Sequence, residues 1–147
     1  MSQLVPQRSP RPWTTPPRVR VFVAEDDTEL RTLFVARLER HGFEVVPTRE
    51  GAQMLALLHD VQDRPEAHPD VVVLDVRMPG LSGLQLLRAM RERGWETPVV
   101  LLTAFPDADV LAAAEAHRAA VVFDKPADLD DVCAAVDILA RLHGKFE

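Results

Sequence analysis

Residues Val71–Gly83 read VVVLDVRMPGLSG, and this stretch decides the fold. Val71-Val72-Val73-Leu74 is apolar, largely β-branched and free of period-two alternation, which predicts a strand buried on both faces. Strands of that kind belong to parallel sheets covered by helices. The chain must turn soon after Asp75, because Pro79 fixes its own φ and lacks an N–H, while Gly80 and Gly83 admit backbone angles closed to other residues. Asp75 therefore stands at the carboxyl end of a central strand, the rim on which open α/β sheets bind ligands. A lone Asp after a strand is ordinarily a turn former or a helix cap. Its functional meaning depends on what the other strand ends carry.

Upstream, Val19-Arg20-Val21-Phe22-Val23-Ala24 predicts a first strand that ends in Glu25, Asp26 and Asp27. Leu30, Leu33, Phe34 and Leu38 follow at helical spacing, with Asp27 or Thr28 placed to cap the helix and His41-Gly42 to end it. Phe43–Val46 predicts a short second strand, and Met54, Leu55, Leu57 and Leu58 mark a helix over Glu50–Asp60. The polar stretch Val61–Pro69 is a loop, in which His68, like His59 before it, is expected to face solvent.

Downstream, Leu84, Leu87 and Met90 space a helix ended by Gly94. Val99–Leu102 is a buried run that stops at Thr103-Ala104. Asp107 caps an alanine-rich helix reaching about His117, and Ala119–Phe123 forms a fifth strand that stops at Asp124-Lys125-Pro126. A last helix is striped by Leu129, Val132, Cys133, Val136 and Leu139, with Asp128 as its cap. Five strands alternating with five helices imply right-handed crossovers and a parallel sheet with helices on both faces.

Composition bounds the functions available. At 147 residues the chain holds one globular domain, and a formal net charge of −6 argues against a general nucleic-acid surface. A single cysteine, Cys133, excludes a disulfide framework and any multi-cysteine zinc site. No apolar run approaches the roughly 20 residues of a membrane span, and the amino terminus lacks an apolar signal core, so a cytoplasmic protein is expected. Residues 1–18 hold five prolines and three arginines without an acid, and are expected to form a disordered or polyproline-like tail preceding a domain over 19–147.

The parallel sheet brings Glu25, Asp26, Asp75, Thr103 and Lys125 to one rim. Three crowded carboxylates call for a cation, and oxygen ligands without His or Cys suit a hard ion such as Mg²⁺, which commonly binds phosphoryl oxygens. The Thr103 hydroxyl and the Lys125 ammonium complete a cradle for a tetrahedral anion. Asp75 is then the natural nucleophile, since a carboxylate can form an acyl phosphate.

At this point the chain resembles the receiver domain of two-component response regulators, from Val19 to about Leu142. The motifs that carry the resemblance are EDD at Glu25–Asp27, LDVRMPGLSG at Leu74–Gly83, LLTA at Leu101–Ala104 and DKP at Asp124–Pro126, each at a strand end. The resemblance implies a flavodoxin-like (βα)5 fold of strand order 2-1-3-4-5. It implies that Asp75 accepts a phosphoryl group from a histidine kinase or a phosphotransfer protein. Mg²⁺ would be bound directly by Asp26 and through water by Glu25, with the backbone carbonyl of Arg77 as a further ligand and Asp75 in the same metal site. Thr103 and Lys125 would contact phosphoryl oxygens, and modification would move Thr103 and the surface of the fourth helix, fifth strand and fifth helix, where a protein target would dock. One departure stands out: many receivers carry Tyr or Phe three residues before the lysine, where this chain has Val122. Phe123 beside it points to the opposite face by strand alternation.

Only His143–Glu147 follow the last helix, so output is expected to pass through the receiver surface rather than through direct DNA contact. The oligomeric state stays open between a monomer and a weak homodimer. Two enzyme readings fail on single residues. A phosphatase that uses a strand-end Asp needs an acid two residues later, where Arg77 stands. A dinucleotide site needs a glycine-rich turn where the chain reads AEDDTEL. The remaining alternative is a receiver-like interaction module that works without phosphorylation; the intact set of five site residues argues against it.

Overall fold

The computed structural model describes residues 18–143. The expected tail lies outside the described residues except for Arg18, which is exposed. The elements are β1 (Arg20–Ala24), α1 (Thr28–Arg40), β2 (Glu44–Thr48), α2 (Gly51–Val61), β3 (Val71–Asp75), α3 (Gly83–Glu92), β4 (Val99–Thr103), α4 (Ala108–Ala116), β5 (Val121–Asp124) and α5 (Leu129–Leu142). A 3₁₀ turn at Pro65–Ala67 precedes β3. The five strands form one parallel sheet in the order β2-β1-β3-β4-β5, the flavodoxin-like arrangement expected from the sequence.

Strand alternation sorts the core into two layers. Phe22, Ala24, Val72, Leu74, Val99 and Leu101 point toward α2, α3 and α4. Val21, Val23, Val71, Val73, Val100 and Leu102 point toward α1 and α5, against Phe34, Leu38, Val132 and Val136. Every residue of β3 and β4 is buried, which explains their unbroken apolar runs. Asp75 and Thr103 end these two strands and are buried with them, each held in place by a fully packed strand.

The helix starts follow the side chains expected to cap them. Asp27, Asp107 and Asp128 accept backbone N–H bonds from Leu30, Val110 and Asp130. Ser82 and Gln85 form a reciprocal capping box at the start of α3.

Four sequence expectations are corrected. Strand β2 starts at Glu44 rather than Phe43 and runs through Pro47, which an edge strand tolerates because one side of its ladder is unpaired. Strand β5 starts at Val121, because the Ala119 N–H is engaged by the Ala114 carbonyl at the end of α4. Leu33, read as part of the buried stripe of α1, is 59% exposed. His68 is half-buried rather than solvent-facing: its ring packs on Trp95 with centroids 4.7 Å apart and contacts the Gln62 carbonyl at 3.0 Å. Trp95, on which the ring packs, lies far along the sequence beyond β3 and α3, which local polarity cannot show.

Candidate functional site

The carboxyl rim of the sheet gathers Glu25 after β1, Asp75 at the end of β3, Thr103 at the end of β4 and Lys125 after β5. Lys125 binds two carboxylates at once, with Nζ 3.1 Å from Glu25 Oε1 and 3.1 Å from Asp75 Oδ2. The peptide bond between Lys125 and Pro126 is cis. Asp26 stands beside them on the surface, and ligand oxygens of Glu25, Asp26 and Asp75 lie within 4.8 Å of one another. All five side chains singled out in the sequence are therefore on one rim, and the three acids form a single cluster.

The electrostatics follow from burial. Glu25 is only 1% exposed, and that burial, reinforced by the Asp75 charge, pushes its carboxyl up to about 7 against the lowering effect of the Asp27 N–H bond. Burial likewise raises Asp75 from the ordinary carboxylate range, partly offset by Lys125. For Lys125 burial pulls downward, but its contacts with Asp75 and Glu25 outweigh it and the ammonium is held above its usual range. The site thus keeps one cation against two buried carboxylates that resist full ionisation.

This charge balance suits a further cation. Glu25 Oε1 is buried and has no hydrogen-bond partner, since its approach to Lys125 is an ion pair outside hydrogen-bonding geometry. The Lys125 ammonium beside it is shared with Asp75, so a single positive charge serves two buried carboxylates and leaves a negative excess. The all-oxygen donor set and its negative excess fit Mg²⁺ rather than a soft metal.

Backbone donors hold the remaining functional atoms. Asp75 Oδ1 accepts the Arg77 N–H at 3.2 Å, and Thr103 Oγ1 accepts the Phe105 N–H at 3.1 Å. The Gly83 backbone presses on the end of β3 so closely that a Cβ there would stand 2.3 Å from the Asp75 carbonyl oxygen. This accounts for the glycine in the loop motif. Phe105 was not singled out in the sequence; its only signal there is an aromatic residue two positions beyond Thr103. Val122 packs in the layer facing α2, α3 and α4, while Phe123 packs in the layer facing α1 and α5, so the two do occupy opposite faces.

Residues 21–137 match the response regulator receiver domain family. The chain belongs to that family. The receiver is 36% identical over 127 residues to the regulatory protein AtoC of Escherichia coli K12, covering 84% of this chain and 26% of AtoC. It is 25% identical over 117 residues to sporulation initiation phosphotransferase F of Bacillus subtilis, covering 80% of this chain and 90% of that protein. The receiver domain of Francisella response regulator 1452 superposes with a TM-score of 0.77 at 26% identity, over 85% of this chain and 98% of that one. The receiver thus spans about a quarter of AtoC but nearly all of the sporulation phosphotransferase. Among the described residues, no helix is long and apolar enough to cross a membrane.

Proposed function

We propose that this receiver is a phosphoacceptor in two-component signalling, with Asp75 taking a phosphoryl group from a phosphohistidine on a kinase or phosphotransfer protein. The observation that carries this reading is the pairing of buried Asp75 with Lys125 at 3.1 Å, one strand away from buried Thr103. A carboxylate oxygen of Asp75 forms the new bond to phosphorus as the phosphorus–nitrogen bond of the donor breaks. The departing imidazole nitrogen keeps the electron pair and takes a proton from solvent. Lys125 offsets charge on the phosphoryl oxygens, and the Thr103 hydroxyl donates to one of them, since its bond from Phe105 uses only a lone pair.

Glu25, Asp26, Asp75 and the backbone carbonyl of Arg77 are the groups that would hold Mg²⁺. The ion, when bound, supplies positive charge that offsets the repulsion between Asp75 and the incoming phosphoryl oxygens. Burial of Asp75 keeps its carboxylate poorly hydrated, so less water has to be displaced before attack. In this reading the receiver is a substrate for its partner rather than an enzyme acting on other molecules, and the modified state is read by a protein on the α4-β5-α5 face.

Incubation with acetyl phosphate and Mg²⁺, followed by intact-protein mass spectrometry, tests the reading. One phosphoryl group is gained by the wild type and none by Asp75→Ala or after chelation of Mg²⁺. A gain retained in Asp75→Ala refutes the assignment of the acceptor. No gain from either acetyl phosphate or a phosphorylated kinase favours a module that signals by binding alone.

A further inference from the structure

Two loops meet beside the site through a contact that the core does not require. Arg77, two residues beyond Asp75, lays its guanidinium over the Phe105 ring, with Cζ 4.8 Å from the ring centroid. Phe105, two residues beyond Thr103, is 59% exposed and belongs to neither core layer. Each backbone is tied to a different site residue. The Arg77 N–H donates to Asp75 Oδ1 and the Phe105 N–H donates to Thr103 Oγ1. Strands β3 and β4 are paired, with Asp75 in register with Leu102. The stacked pair therefore bridges the two loops that follow the two strand ends where a phosphoryl group on Asp75 would reach Thr103.

We propose that Arg77 is a two-position switch: it holds Phe105 while Asp75 is unmodified and transfers to the phosphoryl group when Asp75 is modified, releasing Phe105 as the mobile aromatic of the activated state. The inference rests on the phosphoacceptor role of Asp75 given above. Its driving force is a competition for one guanidinium. An exposed cation–π contact is weak, whereas a planar guanidinium fork matches phosphoryl oxygens and makes charge-assisted bonds about twice as strong as neutral ones.

The anchors favour the same direction. Phosphorylation removes charge from the Asp75 carboxylate, weakening its bond from the Arg77 N–H. A Thr103 hydroxyl that moves toward a phosphoryl oxygen carries the Phe105 N–H with it, since that bond uses only a lone pair. One anchor of the clasp thus loosens and the other shifts in one event.

The position at which similar receivers carry a switching aromatic is no alternative in this chain. Val122 packs against the layer facing α2, α3 and α4, and Phe123 against the opposite one. Phe105 is an exposed aromatic whose own backbone is hydrogen-bonded to Thr103. Its release would change an apolar, exposed spot at the start of α4, next to the face expected to meet a target.

The test uses the full chain labelled with 4-fluorophenylalanine at its six phenylalanines, with the Phe105 ¹⁹F resonance assigned by its loss in Phe105→Leu. Spectra are taken with Mg²⁺ before and during turnover of excess acetyl phosphate, and the mass of the same samples is measured. The Phe105 resonance should shift on phosphorylation. In Arg77→Gln it should already lie near the phosphorylated position without donor, and its shift on phosphorylation should shrink by more than half. Arg77→Lys, which keeps the charge and loses the fork, should fall between. The resonances of buried Phe22, Phe34 and Phe43 report that each variant is folded. A mass gain with an unmoved Phe105 resonance, or a full shift in Arg77→Gln, overturns the switch and leaves Asp75 as acceptor. No mass gain in the wild type, from acetyl phosphate or from a phosphorylated kinase, overturns the acceptor assignment and the switch with it.

Discussion

Replacing Glu25 by Gln should make the protein's stability less dependent on pH, by an amount that follows from the site. Glu25 is 1% exposed, its Oε2 accepts the Asp27 N–H at 3.1 Å, and its Oε1 has an ion-pair contact to Lys125 but no hydrogen bond. Burial first, and then the charge of Asp75, raise its carboxyl from 4.5 to about 7. A folded-state value above the unfolded one means that the native protein binds the proton more tightly. The stability from this group is then fully present below pH 4.5 and is lost as pH rises through about 7. At about 1.4 kcal/mol per pH unit, the interval from 4.5 to about 7 corresponds to roughly 3 kcal/mol. With a urea m-value of about 2 kcal/mol per molar, the unfolding midpoint moves by roughly 1.5 M.

The assay is urea unfolding of wild type and Glu25→Gln at pH 4.5 and pH 8.5 with a chelator present. The wild-type midpoint should fall by roughly 1.5 M more than that of the variant, because Gln keeps the shape of the side chain and does not titrate. Adding Mg²⁺ at pH 8.5 should recover much of the wild-type loss and little in the variant. Midpoints that move in parallel between the two pH values would refute the argument that burial of the Glu25 charge strains this site.

Three further outcomes follow from local geometry. Gly83→Ala places a Cβ against the carbonyl of Asp75, forcing the backbone apart; it should cost about 1–3 kcal/mol in urea unfolding and slow acetyl-phosphate labelling by about tenfold or more. Arg91 donates to the carbonyls of Trp95, Thr97, His117 and Arg118 at 2.8, 2.8, 2.9 and 3.0 Å, on the rim opposite the site. Arg91→Met should therefore cost about 2–4 kcal/mol of stability while Asp75 labelling proceeds at the wild-type rate. Cys133 is buried and its thiol is pushed up to about 11, chiefly by burial, so its reaction with a disulfide reagent at pH 8 should follow global unfolding. Modification within the mixing time would contradict this.

Much of this molecule is legible along the chain because its informative residues are local signals. Unbroken apolar runs mark the two fully buried strands, and Asp27, Asp107 and Asp128 sit where helices need a side-chain acceptor. Acids, a hydroxyl and a lysine stand directly at strand ends. The errors fall where local pattern is a poor guide to pairing. Edge strands β2 and β5 shift their starts, because an edge has only one neighbour to dictate where pairing begins. Leu33 and His68 exchange the expected burial, because what covers each is decided by elements far away in sequence.

The sequence by itself determined the alternation of strands and helices, the rim on which the polar residues gather and the chemical kind of each of them. These depend on hydrophobic period, capping and turn chemistry, which act over a few residues. Only the tertiary structure decided that Lys125 bridges Glu25 and Asp75, that one oxygen of Glu25 is left without a hydrogen bond, and that Arg77 stacks on Phe105. Those contacts join segments separated by tens of residues, and their distances and burial arise from how four strands and their loops pack side by side.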